Sequence, residues 1–477
     1  MINFFLKKSL QKKNNKLPLD NKFPWLKIID NQVDELIDQD INFRIDEITN
    51  LYQHLLSSEG KNKLTKLYDE LVNFGYPEEA AKLELDLLIK IFDKRVINNL
   101  LYNPSAGLDV HKNESKFISD KMITDSFGFL RSPKGKILIV GSSNTLLPVI
   151  TSIILSYILG NVTVVQLSSI HINSIPNFIK SLSLNIFKYV HFTKLNHNNI
   201  DDKDYLESLL ISIKWNVVNL WGGDEALKYY FGKLFKNTYR PRIVSMEPLT
   251  GITIIDNSYI KENQKKITRE LSQSISIMGQ QLCSSPTIGF IISDEIDLSL
   301  ESFCNDLILN IEKKYIDNNV DESNSIKLDR MLNNAMDSGS RVYRSKKFKN
   351  NISVVESINN SIFINNKANN FLSIHQRRNF IEFIKVKNFD EAIKQIRLLP
   401  SQYSFKEIQK VQTILPFGND KFIKKIFNLA KKIGAYRIID SEYTLLRHSM
   451  EPLDGYNLIN EFSTQIAVSG KNSNKIS

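Results

Sequence analysis

The stretch KILIVGSSNTLLPVITSIILSYILGNVTVVQLSS, residues 136–169, carries the strongest fold signal in the chain. KILIVG and NVTVVQL are short β-branched runs, and the apolar segment between them has the length of a helix. A strand, a helix and a second strand in this order predict a right-handed crossover with parallel strands. Parallel sheets of this kind bind ligands at the carboxyl ends of their strands. We therefore expect an α/β protein with its site at that edge.

The helix inside this unit is unusually apolar. Its segment TLLPVITSIILSYILG, residues 145–160, is shorter than the roughly 20 residues needed to span a bilayer, and asparagines lie on both sides of it. We expect a buried helix and no membrane span. The first residues, MINFFLKKSLQKKNNK, lack the apolar core of a secretory signal, so a cytoplasmic protein is predicted.

Strands and helices alternate well beyond this unit. The alternation runs to residue 223 and resumes at residue 242, which predicts two α/β domains with parallel sheets. Before them, residues 17–103 repeat apolar positions at three- and four-residue spacing and predict helices. The expected divisions are an N-terminal helical region (1–115), a first domain (116–245), a second domain (246–440) and a C-terminal segment (441–477) with a disordered tail. A zone rich in Lys, Asn and Ser, residues 318–369, is expected to form surface loops and short strands.

Composition excludes several classes of protein. The net charge is +10, but the lysines are spread along the chain without an aromatic basic motif, so no nucleic-acid partner is expected. Two cysteines in 477 residues form no disulfide framework and no zinc pattern, which indicates a reducing environment and no metal.

Three strand ends carry candidate polar groups, and each has an ordinary structural alternative. Gly222 and Gly223 in WGGDEAL precede a helix, whose amides bind phosphate in many proteins, but a turn capped by Asp224 explains the pattern as well. In GSSNTLLP, residues 141–148, the serines and Asn144 suit either an oxyanion site or a helix cap. Glu247 in SMEPLTG is either an acid–base group or a solvated carboxylate.

The fourth candidate is Cys283, in MGQQLCSSPTIG (residues 278–289). We expect it at the end of a helix that runs to Leu282, followed by a turn with two serines and Pro286. A free cysteine is most often a small buried hydrophobe, and local spacing favours packing for Cys283 and for Cys304 alike. No histidine lies within several residues of Cys283 to activate it.

Taken in order, these motifs resemble the aldehyde dehydrogenase superfamily, and within it the LuxC-type acyl-CoA reductases that supply aldehyde in bacterial luminescence. The likeness covers about residues 117–468. QQLCSSPTIGFI is similar to the nucleophile segment of the family, with Gln281 two positions before Cys283 and Pro286 three after it. The resemblance implies a Rossmann-like cofactor domain, a second domain with the catalytic thiol, and an aldehyde dehydrogenase-like fold.

The same resemblance implies roles for the other motifs. Glu247 is then the acid–base residue and Asn144 the oxyanion donor, with Ser143 as the alternative donor because the loop is one residue short. The cofactor-binding residues are then Gly222 and Gly223 at the pyrophosphate, together with Gln166, Ser168 and Ser169 at the ribose. The C-terminal block contains the Asp-Gly pair Asp454–Gly455, with Leu453 where relatives carry a tryptophan.

Two departures bear on the cofactor. Many relatives place a lysine where this chain has Gln166, and NAD-preferring relatives often carry a glutamate where it has Ser169. The absent carboxylate leaves room for a 2'-phosphate, which favours NADPH.

The implied function is reduction of an acyl thioester, fatty acyl-CoA or acyl-protein, to an aldehyde with NADPH through an acyl group on Cys283. Two alternatives stay open: an NAD(P)-dependent aldehyde dehydrogenase that forms acid, and a non-catalytic scaffold for an acyl-transfer complex. The expected partners are an acyl-protein synthetase and further copies of the chain in a homo-oligomer.

Overall fold

The computed structural model describes residues 19–73, 78–101, 127–142, 145–195, 199–246, 249–280, 282–294, 299–314, 322–348, 351–357, 379–399, 411–447 and 451–469. The chain forms two compact units. Unit 1 takes its residues from Met1–Leu71, Glu84–Met246 and Tyr456–Ser477, and unit 2 from Val72–Leu83 and Glu247–Gly455.

Helices dominate the part of the chain before residue 102, as predicted. They are α1 (Leu19–Lys22), α2 (Ile29–Ile37), α3 (Ile41–Leu56), α4 (Ser58–Asn73), α5 (Glu78–Ile91) and α6 (Lys94–Leu101). Their apolar residues recur on one side and are buried, which is why a sequence rich in charged residues folds as helices here. The N-terminal region contributes to both units, since residues 72–83 belong to unit 2.

Unit 1 contains a two-stranded ribbon and a five-stranded parallel sheet. The ribbon pairs β1 (Phe127–Pro133) antiparallel with β14 (Ser463–Ser469), which follows α17 (Leu458–Phe462). The sheet has the order β4-β3-β2-β5-β6, formed by β2 (Lys136–Val140), β3 (Val162–Gln166), β4 (Val190–Thr193), β5 (Val217–Trp221) and β6 (Arg242–Met246). Helices α7 (Leu147–Ile158), α8 (Ser174–Leu182), α9 (Leu184–Lys188), α10 (Ile200–Ser212) and α11 (Asp224–Leu234) connect its strands.

The apolar segment after β2 is the buried helix that its length predicts. Nine of the residues of α7 are buried, from Val149 to Ile158. No helix in the described part of the chain combines the length and the apolar character needed to cross a bilayer.

Unit 2 contains a seven-stranded sheet in the order β13-β12-β7-β8-β11-β10-β9. Its strands are β7 (Thr250–Asp256), β8 (Pro286–Ile292), β9 (Arg341–Arg344), β10 (Ser353–Ser357), β11 (Phe380–Val386), β12 (Val411–Phe417) and β13 (Arg437–Ile438). All pair in parallel except β9, which is antiparallel to β10. Its helices are α12 (Asn257–Ser276), α13 (Glu301–Glu312), α14 (Glu322–Asp337), α15 (Phe389–Leu398) and α16 (Asp420–Ile433).

Both faces of this sheet are covered, since alternate residues of one strand enter different cores. Ile254 lies in one apolar cluster and Ile255 in the other. Strands buried on both faces explain the near-continuous apolar runs that mark parallel strands in the sequence.

Residues 318–369, expected to form surface loops and short strands, contain the short strands β9 and β10, but the structure also shows a helix there and buries one of the strands. Helix α14 spans 16 of those residues, and every residue of β10 is buried. Leu328, Leu332 and Ala335 of α14 lie in the core, at a spacing that the many polar neighbours obscure.

Candidate active site

The candidate residues of unit 1 lie at the carboxyl edge of its sheet. Gly141 and Ser142 follow β2, Gln166 ends β3, and Gly222 follows β5. Strand order reverses between β2 and β5, which pair as far as Val140 with Leu220. This is the topological switch point at which parallel sheets bind ligands.

The turn between β5 and α11 is open. Gly223 is the N-cap of α11, and as a glycine it has no side chain with which to cap the helix. A Cβ placed on Gly223 would meet nothing within 4 Å, and Gly223 is exposed. The N-cap position is Gly223 and not Asp224, which is the first residue of the helix. The backbone at the start of α11 can thus be approached closely at Gly223, as phosphate-binding turns require.

At the neighbouring helix α7, a carboxylate accepts hydrogen bonds from the N-terminal backbone amides. Glu84 on α5 has a side-chain exposure of 0% and accepts hydrogen bonds from the Thr145 hydroxyl and from the backbone amides of Leu146 (2.7 Å) and Leu147 (3.3 Å). A carboxylate at a helix N-terminus satisfies free amides and the helix dipole. Because these amides are occupied, a phosphate at this edge would bind at α11. No local sequence pattern indicates this role of Glu84, which lies 61 positions before Thr145.

Gln166 is buried, with 4% exposure, and its amide bonds to the protein. Nε2 donates to the carbonyl oxygen of Leu195 at 2.7 Å, and Oε1 accepts from the hydroxyl of Thr193 at 2.6 Å. Gln166 thus fixes the residues after β4 to the end of β3.

The segment after β3 holds two further candidates. Ser169 is exposed, and Ser168 has a buried hydroxyl without a hydrogen-bond partner in the part of the chain that the structure describes. Lys194 donates to Oδ1 of Asn173 at 3.0 Å, which places an exposed ammonium group beside this segment. Burial lowers the pKa of His171 to about 4, so its imidazole is neutral near pH 7.

Asn144, its alternative Ser143, and Glu247 lie outside the described residues, as does Gln281. Their roles stay predictions. Thr145 and Met246, which border them, are described and belong to unit 1.

Cys283 lies in unit 2, in a turn before β8. Helix α12 ends at Ser276, so the prediction of a helix to Leu282 is wrong. Three successive residues, Met278, Gly279 and Gln280, have left-handed φ values of 51°, 59° and 60°, which end the helical path. The thiol therefore stands at the amino ends of the parallel strands, opposite to the edge at which ligands are expected from the general rule.

The turn packs directly on β7. A Cβ on Gly251 would lie 2.4 Å from the carbonyl oxygen of Ser284, so only glycine allows this approach. The hydroxyl of Ser284 donates to the carbonyl oxygen of Thr444 at 2.6 Å. Cys283 is thus held by backbone contacts on the strand and by a side-chain bond to the C-terminal segment.

The groups around the half-buried Cys283 thiol shift its pKa in opposite directions. Burial and the negative charge of Asp454 raise the pKa of Cys283 to about 11, against the lowering effects of the Leu249 amide, of Arg447 and of its own amide. Asp454 accepts from Nε2 of Gln412 at 2.7 Å and pairs with Arg447 at 3.1 Å. At neutral pH the thiol is therefore largely protonated.

Cys304 is a packing residue, as predicted. It has 0% exposure in the core of unit 2, and burial raises the pKa of its thiol well above the ordinary value. Among the described residues, no group of three His, Cys, Asp or Glu side chains is placed to hold a metal ion.

Comparisons with solved structures identify the fold. The chain is similar to the aldehyde dehydrogenase KauB from Pseudomonas aeruginosa, with a TM-score of 0.71 and 10% identity over 95% of this chain and 89% of that one. It is similar to glyceraldehyde-3-phosphate dehydrogenase GapN from Methanocaldococcus jannaschii, complexed with NADP. The TM-score is 0.67 and the identity 13%, over 96% of this chain and 95% of that one. It is also similar to a NAD-dependent benzaldehyde dehydrogenase from Corynebacterium glutamicum, with a TM-score of 0.66 and 10% identity over 93% of this chain and 89% of that one. At this identity the likeness shows the fold alone, and the expected aldehyde dehydrogenase-like fold is confirmed.

Sequence comparison identifies the family. No curated protein matches the chain. The family model for acyl-CoA reductase (LuxC) matches residues 38–465, which is most of the 477 residues and includes every candidate position. The chain therefore belongs to the acyl-CoA reductase (LuxC) family and is an enzyme of that family, built on the aldehyde dehydrogenase fold.

Proposed function

We propose that the enzyme reduces a long-chain acyl thioester to an aldehyde with NADPH, through an acyl group carried on Cys283. The observation that carries the proposal is the environment of Cys283. The turn that holds it packs on Gly251 and is bonded through Ser284 to Thr444, and the amides of Leu249 and Cys283 offset part of the rise in the pKa of the thiol. A preorganised nucleophile with amide donors beside it suits acyl transfer.

In the first step the Cys283 thiolate attacks the carbonyl carbon of the thioester. The new S–C bond forms while negative charge develops on the carbonyl oxygen, where the amide of Cys283 and the proposed donor Asn144 stabilise it. The C–S bond to the donor then breaks, and the departing thiolate takes up a proton. An acyl-enzyme remains on Cys283.

The second step reduces that acyl-enzyme. NADPH, when bound, supplies a hydride, which carries the two electrons needed at the carbonyl carbon. Glu247 is proposed to handle the proton at the thiohemiacetal, whose S–C bond then breaks to release aldehyde and Cys283. Overall, acyl thioester, NADPH and a proton give aldehyde, free thiol and NADP⁺. The turn must also exclude water, because hydrolysis of the acyl-enzyme would give acid.

The carboxyl edge of unit 1 fits a dinucleotide. The N-terminus of α11, which begins directly after Gly223, suits a pyrophosphate. The finer preference for NADPH rests on Ser169, which brings no negative charge, and on the ammonium group of Lys194 beside the same segment. Gln166 contributes by fixing the Thr193–Leu195 backbone that carries this lysine. The NADP-bound state of GapN, a protein of the same fold, is consistent with this choice.

The proposal is tested with purified enzyme, NADPH and a long-chain acyl-CoA. We expect NADPH oxidation with release of aldehyde, and an acyl adduct on the Cys283 peptide in mass spectra when NADPH is omitted. Cys283→Ala should abolish both, whereas Cys304→Ala should retain both because Cys304 only fills the core.

Three results would contradict the proposal. Turnover by Cys283→Ala would exclude the covalent route. Acid formation with NAD from an aldehyde, without the reverse reduction, would favour the aldehyde dehydrogenase alternative. Absence of any adduct or turnover in folded wild type would favour the scaffold. Adding an acyl-protein synthetase as donor, in place of CoA, tests the proposed partner in the same assay.

A further inference from the structure

The side-chain amide of Gln280 links the two ends of the loop that carries Cys283. Its Nε2 donates to the carbonyl oxygen of Pro286 at 3.0 Å, across the loop, and to that of Phe380 at 2.6 Å. Its Oε1 accepts from the backbone amide of Phe380 at 2.8 Å. One side chain thus joins both ends of the loop and binds them to the first residue of β11.

The backbone of Gln280 has a left-handed conformation, which is unfavourable for residues other than glycine. It has a φ of 60° and 1% exposure, and it ends the run of three left-handed residues. L-residues other than glycine adopt this backbone only when their surroundings hold them there. The three hydrogen bonds of the side chain are the interactions that hold it, since both polar ends of a buried amide must be satisfied.

The loop is fixed at its other end by different groups. Ser284 is bonded to Thr444 and packs on Gly251, so the residue after Cys283 has little freedom. Gln280, three residues before the thiol, provides a constraint on the other side of Cys283.

We propose that Gln280 is a positioning residue that sets the place of the Cys283 sulfur for attack on the thioester. This inference rests on the proposed function. Acyl transfer depends steeply on the placement of the nucleophile, and a displacement of about 1 Å costs up to about 100-fold in rate. Gln280 does not contact substrate in this role, and it acts through the backbone of the loop.

The test uses Gln280→Met, which keeps the length and removes all three bonds. Asn237→Leu is the matched control. Asn237 is a buried amide of unit 1 that donates to the carbonyl oxygens of Leu210 and Ile213 and accepts from the amide of Tyr239. Each variant removes three hydrogen bonds of the same kind, but only one is near the thiol. Thermal melting shows whether the two lose similar stability.

Two readouts follow Cys283 itself, in a Cys304→Ala background. The first is the single-turnover rate of acyl-enzyme formation from acyl-CoA, which should fall about 10- to 100-fold in Gln280→Met and stay within about twofold in Asn237→Leu. The second is the pH profile of alkylation by iodoacetamide, which should move to lower pH in Gln280→Met because a loosened loop is less buried. A merely structural role would leave both unchanged.

The outcomes separate this inference from the proposed function. If wild type is alkylated at Cys283 but never acylated, the proposed function fails, and the alkylation profile still tests Gln280. If Gln280→Met melts like the control and keeps the wild-type rates and profile, the positioning role is excluded. If Gln280→Met does not fold, Gln280→Asn, shorter by one methylene, replaces it: slower acylation supports the role, and unchanged acylation overturns it.

Discussion

Asp454 and Arg447 form one ion pair, yet their charges move the pKa of Cys283 in opposite directions. Asp454→Asn removes the negative charge that raises this pKa, so alkylation of Cys283 at pH 8 should become faster. Arg447→Met removes the positive charge that lowers it, so alkylation should become slower. Both variants break the same pair and should each cost about 1–3 kcal/mol of unfolding free energy, so stability alone cannot explain opposite changes in rate. Equal changes would mean that the pair acts only through the fold.

The pH dependence of the thiol follows from the same surroundings. A pKa of about 11 leaves little thiolate at neutral pH, and the reactive fraction increases as pH rises. Single-turnover acylation should therefore accelerate roughly tenfold per pH unit between pH 7 and 9. A rate that levels off below pH 8 would show that substrate or cofactor binding lowers this pKa.

Gly251 is the second residue with a direct effect on the turn. In Gly251→Ala the new methyl group would meet the Ser284 backbone at 2.4 Å, and a backbone cannot rotate away as a side chain does. We expect acylation to fall about 100-fold, since the turn must shift. Gly232→Ala is the control: nothing lies within 4 Å of its Cβ position in α11, so it should stabilise the protein by about 0.5–1 kcal/mol. Equal activity of the two variants would exclude a tight fit at Gly251.

At this scale the sequence distinguished the two cysteines only through family resemblance. The contacts that seat Cys283 join residues far apart in the chain: Gln280 with Phe380 over 100 positions, and Ser284 with Thr444 over 160. Spacing rules describe neighbours within a few residues, so no local pattern marks such partners. For the same reason, no local pattern predicts that Glu84 caps α7.

Among the elements, α7 takes its cap from a different helix. Leu146 at the N-cap provides no side-chain bond, and Glu84 of α5 supplies it. Glu84→Leu should lower the unfolding free energy by about 1–2 kcal/mol, as loss of a cap does. Glu84→Gln keeps an acceptor of the same size and should lose less. Urea unfolding measures both, and equal losses would show that the charge, not the acceptor, stabilises α7.

The elements also show why helix ends are harder to predict than helices. The existence of α12 follows from its apolar spacing, but its end at Ser276 is set by a left-handed turn with only one glycine in it. Tertiary contacts hold Met278 and Gln280 in that turn, so propensity alone extends the helix too far. The apolar pattern does not predict α14, because the buried face of this helix is short and surrounded by polar residues.

For the molecule as a whole, the two units should respond to different ligands. Binding of NADPH should slow hydrogen exchange in residues 166–171 and 222–226 of unit 1, because a bound ligand stabilises the backbone that it contacts. Acylation of Cys283 should instead protect residues 249–251 and 282–286 of unit 2. Exchange measured with each ligand separately checks this, and NADPH protection confined to unit 2 would refute the proposed cofactor site.

The parallel sheets and their helices were predictable because strands buried on both faces leave a clear apolar pattern. The ends of β2, β3 and β5 lie at one edge of the sheet, where the switch-point rule predicts a ligand. This rule did not apply to Cys283, which precedes β8 instead of following a strand. The rule describes where a sheet opens to a ligand, and a thiol carried by a turn before a strand is outside its scope.

The ribbon of β1 and β14 joins residues 127–133 to residues 463–469. During synthesis β1 leaves the ribosome long before its partner exists, and all of Glu247–Gly455 is made in the interval. Unit 2 can therefore begin to fold while β1 still has an unpaired edge, which is the kind of strand that associates with other chains. Translation that stops short of residue 463 would release a product that contains all residues of unit 2 but has a permanently unpaired β1, and such fragments should be recognised by chaperones or aggregate.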